Sequence, residues 1–361
     1  MTRMLLKDNQ VKILQNNELE QNIGIIQISC GTNFCLALTQ DFLVFSWGDN
    51  SYGNLGLGHL ESSHLPQLVR FLDNDNIKIQ HISCGQYHSA ATSKTGQVFT
   101  WGLGNFGQLG KGNLANFNQP DLVRGDLEGK NILATVCGGY HNVCFTNEGY
   151  TYSWGCLEVD QQNIKSSNIP YPMMLNSEFI KEENNPFNMI ITYIAAGADY
   201  CMAIEQKRII YAWGRNKEGQ LGIGGISNFV DQPSKVQGLD GNLMKSIACG
   251  EEHSLFLTES GRIFACGSSK DGKLGLGIRN TILMTPQEIN IKAKVVKIAC
   301  GSTHSMALAI NKEVEQNQDE YEYLEAKETK VIYTWGNGWE SKLGHGDKDN
   351  LDTPQKFLGK L

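Results

Sequence analysis

Four histidines fall at one recurring position, and histidine is the side chain whose proton moves near neutral pH. His88, His141, His253 and His304 each stand four residues after a cysteine. Thiols and imidazoles together could make a zinc site or an activated nucleophile, but the spacing argues against both. Of ten cysteines, five (Cys30, Cys84, Cys137, Cys249, Cys300) precede a Gly at one repeat position, and no C-x-x-C occurs. Residues about 50 apart on equivalent strands do not converge as ligands. Ala196 fills the same position, so the expected role of the cysteines is a small buried residue on a crowded inner strand. The histidines are expected to be hydrogen-bonded within each repeat. Gly102-Leu103-Gly104-Asn105-Phe106-Gly107 matches a dinucleotide fingerprint letter by letter. That fingerprint works only where a strand feeds a helix whose N-terminus meets the pyrophosphate, and here Gln108-Leu109-Gly110 and more turn formers follow. No catalytic residue, metal or cofactor is expected, and the chain reads as non-enzymatic.

The elements that carry these residues repeat six times. Cys-Gly-x-x-His-Ser begins at Cys84, Cys249 and Cys300, with looser copies from Cys30, Cys137 and Ala196, one copy every 51 to 59 residues. Trp-Gly follows 17 residues after the start of a copy at Trp47, Trp101, Trp154 and Trp213, and Cys266-Gly267 takes its place once. The sixth copy reaches Trp335-Gly336 after 18 further residues. A period of this length is that of a supersecondary unit, as in solenoids and propellers.

Residues 79–124 show what one unit is. Ile79–Cys84 alternates apolar and polar, Gly85 opens a turn, and Lys94-Thr95-Gly96 closes a hairpin onto Val98–Trp101. Gln119–Val123 supplies a fourth strand whose Pro120 suits an outer edge. The pattern predicts an all-β fold, a β-propeller of four-stranded antiparallel blades. Gly-x-Leu-Gly recurs at Gly53, Gly107, Gly219 and Gly272. Each is expected to turn a tight loop whose Leu plugs the gap between blades, and the repeated Trp is expected to pack there too.

Net charge is −7 and the longest basic cluster is Lys207-Arg208. Nucleic-acid binding, which needs a basic stripe, is therefore not expected. No apolar run approaches the length that spans a bilayer, and the first residues lack the apolar core of a signal peptide. An intracellular, cytoplasmic protein is expected, with no membrane insertion.

Cys-Gly-x-x-His-Ser, then Trp-Gly-x-x-x-x-Gly-x-Leu-Gly, then Pro-x-x-Val resembles the regulator of chromosome condensation repeat family over roughly residues 25 to 357. The resemblance implies a propeller, usually of seven blades, where six copies are countable here. Residues 1–24 are expected to add one extra outer strand to the propeller of 25–361. Two segments depart from the pattern. Cys156 to Asn188 loses Gly-x-Leu-Gly, and an acidic insertion at 311–330, with Glu320, Tyr321, Glu322 and Tyr323, interrupts the last copy. A long loop in an economical repeat is a candidate interaction site.

The resemblance also brings a functional alternative, guanine-nucleotide exchange on a Ran-type small GTPase. The family's GTPase-contacting acids and histidine fall on Asp199, Glu251, Glu252, His253 and His304. No basic tail and no wedge-like hairpin accompany them. The family's ultraviolet-sensing members gather extra tryptophans, whereas only Trp339 lies outside the repeat position here. The expected function is a protein–protein interaction scaffold, a subunit of a larger assembly such as a cytoskeletal or ciliary one, with other proteins or a small GTPase as partners.

Overall fold

The computed structural model describes residues 3–7, 10–14, 21–73, 77–157, 169–174, 190–206, 208–313 and 327–357. Its fold class is the expected one, six four-stranded antiparallel blades of a β-propeller with almost no helix. By internal contacts the chain divides into two units, Met1–Asp199 and Tyr200–Leu361.

In the first unit, the first blade runs β3 (Gln21–Cys30), β4 (Phe34–Thr39), β5 (Val44–Gly48) and β6 (Ser63–Leu68). The second is β7 (Ile79–Cys84), β8 (His88–Ser93), β9 (Val98–Gly102) and β10 (Phe117–Leu122). The third is β11 (Ile132–Cys137), β12 (Tyr140–Thr146), β13 (Thr151–Cys156) and β14 (Ile169–Met174). Strand β15 (Ile191–Ala196) is the last strand of the first unit. The second unit begins with β16 (Tyr200–Glu205), β17 (Ile210–Asn216) and β18 (Ser227–Lys235). The fifth blade is β19 (Met244–Cys249), β20 (His253–Thr258), β21 (Ile263–Ser268) and β22 (Ile282–Ile289). The sixth is β23 (Lys294–Cys300), β24 (His304–Glu313), β25 (Lys327–Gly336) and β26 (Leu351–Lys356).

Each fourth strand carries a proline, Pro120 in β10 and Pro286 in β22 among them. The ladder to the third strand shifts register beside both, because Pro has no N–H to donate and fits only an edge or a bulge.

The N-terminal segment forms two strands, β1 (Arg3–Lys7) and β2 (Gln10–Leu14), paired as a hairpin. Strand β2 pairs with Gln21–Gly24 of β3, so the hairpin is joined to the first strand of the first blade. The reason is length. β3 runs ten residues where β7 runs six, and its first four would otherwise leave unpaired backbone. At the other end, β24 and β25 stay paired out to Glu313↔Lys327. The borders of the expected 311–330 insertion are therefore hairpin, while Glu320, Tyr321, Glu322 and Tyr323 lie outside the described residues.

Candidate functional site

The repeat motif converges on one backbone carbonyl at four blade junctions. The Trp101 indole N–H donates to Asn54 O at 2.9 Å, and the Ser89 hydroxyl donates to the same oxygen at 2.8 Å. Asn54 is the variable residue of Gly-x-Leu-Gly in the preceding blade. Trp335 and Ser305 bind Lys273 O in the same way, at 3.1 and 2.9 Å. Where the motif drifts, the bond persists. Asn142 replaces Ser and still donates to Gln108 O alongside Trp154, and Cys266 replaces Trp and points its thiol at Gln220 O. The Leu beside each carbonyl is buried, as at Leu55, Leu221 and Leu274. Gly56 completes the junction. Its φ is +71°, and a Cβ there would stand 2.7 Å from Trp101 Nε1. The tryptophans are thus frame, as expected.

Two of the histidines, His88 and His253, are frame as well, but their bonds cross between blades instead of staying within one. His88 Nε2 meets Asn142 Oδ1 at 3.1 Å, and His253 Nε2 meets Ser305 Oγ at 2.8 Å. The reach across is forced by packing. Each ring sets its Cε1 where a Cβ on its own blade's Gly would stand, as His88 does at Gly85 and His253 at Gly250. Burial holds His88 down to about 4 and His141 and His253 to about 3, so all three stay neutral. His304 is half-buried, and burial followed by Lys342 lowers its pKa.

The cysteines divide. Cys84 and Cys137 are buried, Cys249 and Cys300 half-buried, and Cys30 is exposed, which corrects the expectation of five buried thiols. Cys84 and Cys137 each turn the thiol to a carbonyl of the preceding blade, Ser29 O and Ser83 O, at 3.4 Å.

Of the expected contact residues, four come together in the second unit, and they are largely occupied with one another's neighbours. Glu252 Oε2 accepts from Lys273 Nζ at 2.8 Å, and that lysine side chain is almost wholly buried. Glu251 accepts from the Ser302 hydroxyl, and its N–H donates to Ser302 O at 3.3 Å. His253 and His304 complete this group, His253 through the Ser305 bond given above.

Asp199, the last residue of the first unit, sits in different company. In that unit the loops after the first strands are stitched by backbone bonds, Thr32 N–H to Gln86 O, Gln86 N–H to Gly139 O and Gly139 N–H to Ala198 O. The ladder brings the next residues of three successive loops, Tyr87, Tyr140 and Asp199, side by side. Tyr52 packs edge-on against Tyr87 with ring centroids 5.2 Å apart, and Phe106 lies 4.6 Å from Tyr140. The Tyr140 phenol is pushed up by burial first, then by Tyr87, Asp199 and Tyr52. Tyr52 is exposed, and Tyr87, Phe106, Tyr140 and Asp199 are half-buried. The motif reading missed the four aromatics because they occupy its variable positions. Their clustering there was the available signal.

Among the described residues no group of three or more His, Cys, Asp or Glu is placed to hold a metal. Among those same described residues no helix is long and apolar enough to cross a membrane.

The model of the RCC1-like domain matches residues 4–360. The chain is 33% identical over 260 residues to the Arabidopsis thaliana ultraviolet-B receptor UVR8, covering 71% of this chain and 56% of that protein. It is 30% identical over 289 residues to the human E3 ubiquitin-protein ligase HERC2, covering 78% of this chain but 6% of the ligase. The chain thus spans little more than half of the one relative and a small part of the other. Among solved structures, Prp20p from Saccharomyces cerevisiae is similar with a TM-score of 0.75 at 23% identity, covering 97% of this chain and 80% of that one. Human WBSCR16 is similar at 0.73 and 20%, with 97% and 84% covered. The carbonyl-centred junctions and the match over nearly the whole chain lead to one conclusion: this protein belongs to the RCC1-like domain family.

Proposed function

We propose that the chain is a non-enzymatic interaction domain, a scaffold subunit whose docking surface is the aromatic row Tyr52, Tyr87, Phe106 and Tyr140 ending at Asp199. The observation that carries this reading is the row itself. Large half-exposed aromatics on a rigid frame are the residues that dominate binding energy at interfaces. Aromatic faces beside a carboxylate favour a cationic side chain, so the partner segment this surface fits presents Arg or Lys. The acidic insertion with Glu320, Tyr321, Glu322 and Tyr323 is a second contact under this proposal.

Guanine-nucleotide exchange is the competing reading. Prp20p, a similar fold, has described binding properties to Gsp1p and histones. In this chain Glu251, Glu252 and His253 are engaged by Ser302, Lys273 and Ser305, which leaves fewer side chains for a GTPase.

The deciding experiment is affinity purification from native cells, with wild type and a Y87A/Y140A/D199N variant, each in magnesium-replete and EDTA-containing buffer. A fixed partner set, indifferent to EDTA and lost with the variant, supports the scaffold. A small GTPase enriched only under EDTA overturns it in favour of exchange. Replacing 314–326 with a short turn, which spares the paired strands, tests the second contact.

A further inference from the structure

The first copy differs from its sisters in one cross-strand pair. Cys84, Cys249 and Cys300 stand opposite Ser89, Ser254 and Ser305, but Cys30 stands opposite Cys35. The two sulfurs are 3.3 Å apart. The neighbouring Gly31 N–H donates to Phe34 O at 2.9 Å, so by the alternation of an antiparallel ladder the Cys30–Cys35 pair is a non-hydrogen-bonded one. Such pairs hold Cα atoms about 4.5 Å apart, inside the range that a disulfide spans. Cys30 is exposed and Cys35 half-buried, so an oxidant can reach them.

We propose that Cys30 and Cys35 form a reversible disulfide, a hydroperoxide-responsive modification site at the base of the first face loop. The chemistry divides between the two thiols. The Cys35 S–H donates to the Cys30 sulfur, which brings Cys30 down to about 7, while the same bond and burial push Cys35 far up. Cys30 is therefore the nucleophile and Cys35 the resolving thiol. The Cys30 thiolate attacks a peroxide oxygen, the O–O bond breaks, and the departing oxygen takes a proton from solvent and leaves as an alcohol or water, with a sulfenic acid on Cys30. Cys35 sulfur then displaces that hydroxyl, its own proton departing with it as a second water. Both thiols are oxidised and the peroxide is reduced. The closed bridge ties the turn whose Thr32 N–H donates to Gln86 O at 3.2 Å, next to Tyr87 of the aromatic row.

Reduced full-length protein is treated with hydrogen peroxide, alkylated and digested with trypsin. Both cysteines fall on the peptide 13–70, which contains no internal Lys or Arg. That peptide is expected to lose two hydrogens and both alkylation sites, to regain them with dithiothreitol, and to react faster than glutathione at neutral pH. Cys35→Ser copies the residue that three of the sister copies carry, so it should fold. It is expected to leave a Cys30 sulfenic acid that dimedone traps. Thermal unfolding of C35S and C30A, the latter copying Ala196, checks that both are folded. A peptide still fully alkylated after peroxide, oxidation no faster than glutathione, or a bridge from Cys35 to Cys84 would each overturn the proposal.

Discussion

Lowering the pH from 7.5 to 5 should unfold or nearly unfold this protein, and three histidines are the reason. His88, His141 and His253 are wholly buried and neutral, held to about 4, 3 and 3 by burial. In the unfolded chain each binds a proton near pH 6.5. Between those values the unfolded state carries more protons, so stability is full above about pH 6.5 and falls as pH drops towards the folded pKa values. At about 1.4 kcal/mol per pH unit, each histidine gives up about 2 kcal/mol by pH 5, and the three together about 6 kcal/mol. That is comparable with the roughly 5–15 kcal/mol total of a folded domain. Carboxylates titrate mainly below this window, which isolates the imidazoles. Urea unfolding at fixed ionic strength, at pH 7.5, 6 and 5, measures the loss. Tyr200 holds the histidine position in one copy, with its hydroxyl 3.0 Å from the Ser254 hydroxyl of the next blade. His253→Tyr should reproduce that contact, keep stability at neutral pH and remove about 2 kcal/mol of the acid loss. A wild-type loss under about 2 kcal/mol, or imidazole resonances titrating near their free value, would falsify the argument.

Three further outcomes follow from the junctions and the face loops. Glu252→Ala strands the buried Lys273 ammonium and should destabilise by about 3 kcal/mol in urea unfolding, whereas Glu251→Ala, at an exposed site, should stay within about 1. Trp101→Phe removes one of two donors to Asn54 O and should lose about 1–2 kcal/mol in the same assay, against about 3–5 for Trp101→Ala. Gly56→Ala forces a Cβ onto the Trp101 indole from a left-handed φ and should lower the thermal midpoint further than Trp101→Phe does.

Much of the fold was legible because the copies check one another. The six countable copies, the strand boundaries of the blade at 79–124 within a residue or two and the packing roles of Leu and Trp followed from spacing, while whether six or seven blades close the ring did not. The direction of the histidine bonds did not, since a motif written along one chain carries no sign of the neighbouring strand it meets. Nor did the exposure of Cys30, which carries the same letter as buried Cys84 and differs only in what surrounds it. The expected GTPase-facing acids illustrate the same limit. Glu252 and Asp199 occupy one motif position, yet Glu252 is bound to a buried lysine and Asp199 lies beside Tyr140.

Internal repetition also separates frame from function without recourse to any other protein. A position at which copies agree, or at which a different residue makes the same bond, is held by the junction. Asn142 for Ser and Cys266 for Trp are such exchanges, each keeping its donor on the carbonyl. A position at which copies differ and the side chain reaches solvent is free of that demand. Tyr87, Tyr140 and Asp199 differ at one such position, and the pairing of Cys30 with Cys35 is a departure found in the first copy alone. The frame tolerates every one of these residues, so it does not explain their choice. An aromatic row at one set of variable positions and an accessible dithiol at the base of the adjoining loop are what remains for function to account for.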